Sequence, residues 1–428
     1  MNFFKQLGFY MMMGARAHAR WEIDTSNTIL RSRKRLLILG LLFIPAILGG
    51  IVFADEAGMI LPDIIGGKEA YNPSFYSLGI FIVSIFIGLG AGLITGCIGA
   101  GGGFIIAPAL MSAGVKGILA VGTDLFHIFA KAIMGSVIHK KLGNVSVPLA
   151  LVFLIGALLG TTAGGLINRI LYEINPILSD AFITTVYSLM LGFLGFYSLF
   201  DFIKVWRKGG SVSSHGGKSE GTDMGSLPRT LQNINIPPMV TFDADITPGG
   251  HRISWIFLVI AGAFVGLAAG IMGVGGGFLT FPIFVYVLGV SSMTTVGTDI
   301  FQIIFTAGYG SITQYAIYGF IFYTLAIGML LGSLVGIQIG ALVTKVVSGI
   351  TIRGFYAMSI LAGFVNRIFA LPSKLQSMDL IPLSKSICDI LNTVGMYLFF
   401  ITVGGFGIWV IGTFLVNLKT LKSGEAHS

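Results

Sequence analysis

The chain has 428 residues, 54% hydrophobic and 10% charged, with 61 glycines, two cysteines and a formal net charge of +8. A soluble globular domain carries about 25% charged residues, so a soluble class is excluded. The basic excess is read as a topology signal rather than a nucleic-acid surface. Cys97 and Cys388 form neither a disulfide framework nor a metal pattern, so no metal and no cofactor is expected.

Apolar runs of about 20 residues cross the roughly 30 Å hydrocarbon core as helices. Here the runs are apolar on every side, which predicts an all-α polytopic membrane protein in contact with lipid rather than a barrel. Residues 1–35 hold Lys5, Arg16, Arg20, Arg31, Arg33, Lys34 and Arg35 against Glu22 and Asp24. That excess predicts a cytoplasmic N-terminal segment. Phe3, Phe4, Leu7, Tyr10 and Met11 share one helical face, suited to lying along the membrane surface. Segment 36–54 is then an extra transmembrane helix. A cleaved signal peptide ending at Val52-Phe-Ala54 is the rival, but its basic region is too long and its apolar run exceeds about 7–15 residues. The following loop carries Asp55, Glu56, Asp63 and Glu69 against Lys68, as an outer loop would.

A repeat comes next. Gly99-Ala-Gly101-Gly102-Gly103-Phe, with Pro108 beyond it, recurs as Gly273-Val-Gly275-Gly276-Gly277-Phe with Pro282. Val121-Gly-Thr123-Asp124 recurs as Val296-Gly-Thr298-Asp299. Duplication in a membrane chain points to a transporter whose site lies between the repeats. Repeat 1 spans 77–206 and repeat 2 spans 254–371. Each is expected to hold a glycine-rich helical hairpin (79–113 and 256–290) and about three spanning helices. Those spans are 118–138, 147–168 and 181–203 in the first, and 295–315, 321–344 and 352–371 in the second. Residues 207–253, rich in Gly-Gly and Pro-Pro, read as a flexible cytoplasmic linker, with a small regulatory module as the alternative. A C-terminal transmembrane helix follows at 393–417.

The loops with His139-Lys140-Lys141, Lys204 to Arg252, Lys345 and Arg353, and Lys419 and Lys422 take the inner side. The loop with Glu173 and Asp180 takes the outer side. Repeat 1 then starts outside and repeat 2 inside, so the two are expected in inverted topology. Irregular backbone at the glycine bends is tolerated at that depth only where it lines a cavity or is buried in protein.

Charges within the spans are few. Asp124, His127 and Lys131 fall at i, i+3 and i+7 on one helical face. A charge at the bilayer centre costs about 2.5–3.5 kcal/mol, so such residues are read as functional and interior-facing. Asp124 and Asp299, kept in both repeats, serve either proton coupling or the bracing of the glycine hairpins. Where repeat 1 has His127, Lys131 and His139, repeat 2 has Gln302, Thr306 and Gln314. Structural duties recur in both copies, whereas charge recognition can reside in one. Lys131 is therefore the candidate anion-attracting residue. His127 or His139 is the candidate proton carrier, because imidazole titrates near neutral pH; for His139 the plainer reading is an interfacial histidine. The helix ends after Gly101-Gly102-Gly103 and Gly275-Gly276-Gly277 aim free N–H groups at the bend, where anions are favoured. Close helix packing without a ligand is the alternative use of those glycines.

Gly92-x-x-x-Gly96-x-x-Gly99, Gly101-Gly102-Gly103-Phe, Pro108, Val121-Gly-Thr123-Asp124, Lys131, Gly135-Ser136, His139 and Gly143-Asn-Val together resemble the TauE/SafE sulfite exporter family, over about 77–370. The resemblance implies a secondary transporter of the bacterial inner membrane for sulfite, sulfonates or related oxyanions, working in export or uptake. It places Gly101, Gly102, Gly103, Thr123, Asp124 and Lys131, with Gly275, Gly276, Gly277, Thr298 and Asp299, around the path. The expected activity is proton-linked anion transport, and the reading allows a homo-oligomer. A passive anion channel needs the same positive site. A cation or metal transporter would use Asp124 and Asp299, and a membrane enzyme would need a nucleophile–base pair that is not evident.

Overall fold

The structure is a computed structural model that describes residues 78–98, 103–141, 145–207, 226–243, 250–344, 346–347 and 349–417. The N-terminal segment and the span expected at 36–54, together with Gly101 and Gly102, lie outside the described residues.

The described residues are almost wholly helical. The first half runs α1 (Leu78–Ile98), α2 (Gly103–Ser112), α3 (Gly117–Lys141), α4 (Val147–Ile174) and α5 (Pro176–Arg207). A short α6 (Ser226–Gln232) and two strands, β1 (Met239–Phe242) and β2 (His251–Ser254), lead to the second half. There α7 (Trp255–Met272) is followed by α8 (Gly277–Pro282), which continues as a π-helical turn over Ile283–Leu288. Next come α9 (Ser292–Tyr309), extended by irregular helix to Tyr318, then α10 (Tyr323–Val343) and α11 (Gly349–Gln376). α12 (Lys385–Val416) closes the chain.

Six helices among the described residues are long and apolar enough to cross a membrane: α4, α5, α7, α10, α11 and α12. α3 and α9 each carry a buried aspartate, Asp124 and Asp299. On the outward faces of the spanning helices Phe193 on α5 is 75% exposed and Ile408 on α12 is 76% exposed, the pattern of a lipid-facing belt.

Two helix pairs hold the halves together, and both rest on glycine at every fourth position. α1 runs alongside α10 in the same direction, with Gly88, Gly92 and Gly96 meeting the backbone of Met329, Ser333 and Ile337. α4 runs alongside α7, with Gly156 and Gly160 meeting the backbone of Val259 and Ala263. Spacing of four keeps the glycines on one face. The backbones come so close that a Cβ at Gly160 would stand 2.1 Å from the Ala263 carbonyl oxygen, and one at Gly332 2.0 Å from that of Ile85. Small residues allow such contact in membrane helices, where dispersion rather than the hydrophobic effect drives association. The first helix of each half thus packs on the fourth helix of the other half, α1 on α10 and α7 on α4. α5 packs against α11, and α3 crosses α9.

Part of the segment read from sequence as a flexible connector has ordered structure. β1 and β2 pair antiparallel, Met239 with Ser254 and Phe242 with His251. Strands of four residues in Gly/Pro-rich surroundings give too short an alternation to be visible in sequence. The hairpin has a mechanical role: Asp243 accepts hydrogen bonds from Ser291 N and Ser291 Oγ, both at 2.8 Å, and from Thr294 Oγ1, at the start of α9. Asp180 of α5 does the same for α3, accepting from Gly117 N at 2.7 Å.

Replacing Gly160 by Val is expected to force α4 from α7 and to lower stability by about 1–3 kcal/mol or more. The variant should lose monodisperse protein on size-exclusion chromatography in detergent. Gly404→Ala, on α12 with nothing within 4 Å of the added carbon, is expected to behave as wild type.

Candidate functional site

The start of α2 meets the glycine bend of repeat 2. A Cβ at Gly103, where α2 starts, would lie 3.1 Å from Val274 Cα and 3.0 Å from the tip of Ile128. Gly275 abuts Ile128 from the other side, at 2.8 Å by the same measure. Gly273, Gly275 and Gly276 have φ of 79°, 67° and 87°, left-handed values that glycine adopts without strain. That lets α7 stop and α8 begin within four residues.

A broken helix in hydrocarbon leaves carbonyls that must find donors. For α7 they are found. Tyr315 OH donates to Gly270 O, and Tyr187 OH donates to Met272 O. Asn168 Nδ2 donates to Ile271 O at 3.0 Å, and reaches Gly270 O at 3.3 Å. These donors come from α9's extension, α5 and α4. Two of the three belong to the first half, so repeat 2's bend is held by repeat 1.

Asp124, His127 and Lys131 do share one face of α3. Asp124 and His127 are fully buried. His127 Nε2 lies 3.0 Å from Ser333 Oγ on α10, and Lys131 Nζ donates to Thr95 Oγ1 on α1 at 3.4 Å. The face is therefore turned toward the α1–α10 pair. His127 Nδ1 stands 3.6 Å from Asp124 Oδ1. Among the described residues, neither oxygen of Asp124 nor Nδ1 of His127 has a hydrogen-bond partner. His139 lies on the last turns of α3, with its side chain outside the described set.

The counterpart in α9 is neutral beyond its carboxylate and internally satisfied. Gln302 Nε2 donates to Asp299 Oδ1 at 3.0 Å, and Thr306 Oγ1 donates to Gln302 Oε1 at 2.7 Å. Asp299 Oδ2 sits 3.1 Å from where a Cβ of Gly277 would be, hard against the first turn of α8. Gln314, at the register of His139, accepts from Arg169 Nη1 at 2.7 Å through its side chain and at 2.9 Å through its carbonyl.

Thr123 and Thr298 are both fully buried and have matching duties. Thr123 Oγ1 accepts from Phe322 N at 2.9 Å, and Thr298 Oγ1 accepts from Ser146 N at 3.0 Å. Phe322 and Ser146 precede α10 and α4, so each threonine satisfies a helix start in the opposite half. Their acceptor capacity is committed to joining the halves.

Two buried arginines escaped the sequence reading. Arg169 stacks 4.0 Å above the Tyr318 ring. Arg367 donates to Asn366 Oδ1 and to Ser112 Oγ, both at 2.7 Å. A signal existed: Asn-Arg-Ile occurs at 168–170 and again at 366–368, each time against an apolar run. Among the described residues no cluster of three His, Cys, Asp or Glu could hold a metal ion.

Apolar outer faces around a polar interior, with Asp124 and His127 buried within it, are those of a multi-pass membrane protein, and the comparisons make it a membrane transporter rather than an enzyme. The chain belongs to the sulfite exporter TauE/SafE family, whose model matches residues 84–366. It is similar to the probable membrane transporter protein YunE of Bacillus subtilis (strain 168), 25% identical over 275 residues covering 62% of this chain and 89% of that protein. It is also similar to the probable membrane transporter protein YjnA of the same organism, 23% identical over 265 residues, 60% of this chain and 87% of the relative. No solved structure matches the chain. The family implies a small anion as substrate.

Thr298→Val keeps the shape of the side chain and removes the acceptor for Ser146 N–H. Leaving a buried donor without that bond costs about 1–3 kcal/mol. The apparent Tm in detergent is expected to fall, and Thr123→Val, which removes the bond to Phe322 N, is expected to lower it too.

Proposed function

We propose that the protein is a proton-linked secondary transporter of small sulfur oxyanions, sulfite or sulfonates, in the bacterial inner membrane, with its N-terminus cytoplasmic. The observation that carries this reading is the cationic Lys131, half-buried on α3 about one turn from Ile128, which lies between the start of α2 and the glycine bend of repeat 2. The bend residues Gly103 and Gly275–Gly277 supply close backbone approach, and α2 begins at Gly103, where a helix start favours an anion. The anion would sit between the bends, drawn by Lys131. Asp124 and His127 complete a polar face on which charge can be balanced by a proton.

Alternating access follows from the pairing of the halves. α1 shares its direction with α10 and α4 shares its with α7, which suits two repeats of opposite topology rocking about a central site. Uptake and export are both compatible with that motion. The cation reading has less support: Asp124 and Asp299 each belong to a different polar network, with His127 and with Gln302.

The test is flux of radiolabelled sulfite and of a small sulfonate into liposomes under an imposed pH gradient. Wild type is expected to accumulate the anion in the direction set by the gradient. Lys131→Ala is expected to be slower by roughly tenfold or more, as loss of a charge-assisted contact implies. Absence of flux under either gradient direction would defeat the reading.

A further inference from the structure

The hydrogen-bond geometry around His127 carries a more specific conclusion, which rests on the proton-linked reading above. Ser333 Oγ lies 3.0 Å from His127 Nε2 and 3.3 Å from its own helix's Leu330 carbonyl oxygen. One hydroxyl has one proton, so it donates to only one of them at a time.

If Ser333 donates to Leu330 O, its oxygen must accept from His127 Nε2–H. The lone pair of a neutral imidazole would then face an ionised Asp124 across 3.6 Å in a fully buried gap. Two lone pairs opposed in low dielectric repel, so this arrangement takes up one further proton, shared between Nδ1 and the carboxyl. If Ser333 instead donates to His127 Nε2, the imidazole proton sits on Nδ1 and points at the carboxylate, and no further proton is needed. The two arrangements differ by one proton and by the rotation of one hydroxyl.

We infer that the Asp124–His127 pair is the carrier of the transported proton, and that Ser333 is a positioning residue that sets whether the pair is loaded. Ser333 is on α10, in the half opposite α3. Any movement of α10 along α3 changes the Ser333–His127 contact, and so changes the affinity of the pair for its proton. This is the element that ties proton binding to alternation of the halves. The charged and titratable groups acting on the pair among the described residues are Lys131 on the same helix and Tyr187 from α5, whose hydroxyl is committed to Met272 O. The Ala107 backbone faces the same carboxylate from α2. In the second half Gln302 replaces the histidine and holds Asp299 by a direct bond. That arrangement fixes the carboxylate without a titratable partner, so one proton site per protein is expected.

The decisive variant is His127→Gln, which puts repeat 2's solution into repeat 1. With sulfite as probe, it is expected to lose accumulation driven by a pH gradient. Ser333→Ala is expected to shift the pH at which gradient-driven accumulation is half-maximal while leaving the protein monodisperse. His127→Gln protein that accumulates sulfite as wild type does would overturn the inference. A second measurement is independent of transport. The infrared difference spectrum of wild type between acidic and alkaline pH is expected to contain one titration shared by carboxyl and imidazole bands, missing from His127→Gln and from Asp124→Asn. A spectrum that neither substitution alters would overturn the assignment even if the protein moved no sulfite, whereas failure of wild type to move sulfite, with that titration intact, defeats only the substrate reading.

Discussion

A helix broken in the middle of a membrane must find partners for its backbone, and the rest of this structure follows from that need. The carbonyls of Gly270, Ile271 and Met272 are reached by Tyr315, Asn168 and Tyr187. Two of those side chains come from the opposite half of the chain, so the bend of repeat 2 depends on repeat 1. Bringing them within hydrogen-bond distance requires α4 to lie against α7 at backbone contact, which the glycines at 156 and 160 permit. Thr123 and Thr298 add the same reciprocity at the helix starts of α10 and α4. The interlocking of the halves is therefore set by polar satisfaction as much as by packing.

The halves share architecture but divide the chemistry. α9 carries Asp299, Gln302 and Thr306 as a closed chain of hydrogen bonds, a rigid arrangement that supports α8. α3 carries Asp124, His127 and Lys131, with partners on helices of both halves and with polar atoms left unpaired among the described residues. A fully satisfied network stabilises one conformation, whereas an incompletely satisfied one can hold a ligand or a proton. The asymmetry supports the proposal of movable charges on α3 and a fixed scaffold on α9.

Much of this was legible in the sequence because it was written twice. The duplicated glycine run predicted two helical hairpins, and α1–α2 and α7–α8 occupy those segments. The i, i+3, i+7 spacing put Asp124, His127 and Lys131 on one face without any structure. What pairs across the halves was not legible, since a sequence does not say which helix lies beside α3. Thr123 and Thr298 were read as path-lining residues, yet their oxygens accept from backbone N–H groups nearly two hundred positions away in Phe322 and more than a hundred and fifty away in Ser146. Arg169 and Arg367 were passed over because each ends or interrupts a run that is apolar enough to read as lipid-facing. The β1–β2 hairpin was hidden by strands too short to show alternation.

The central claim is that Ile128, between the start of α2 and the glycine bend of repeat 2, marks a site opened to one side of the membrane at a time. The most direct measurement is the reactivity of a single cysteine at that position, Ile128→Cys with Cys97 and Cys388 replaced by alanine, toward a membrane-impermeant thiol reagent applied from either side of oriented vesicles. The account predicts reaction from one side at a time, with the favoured side switched by reversing the pH gradient. Equal simultaneous reaction from both sides would mean a channel, and no reaction from either side would contradict a path through the bends.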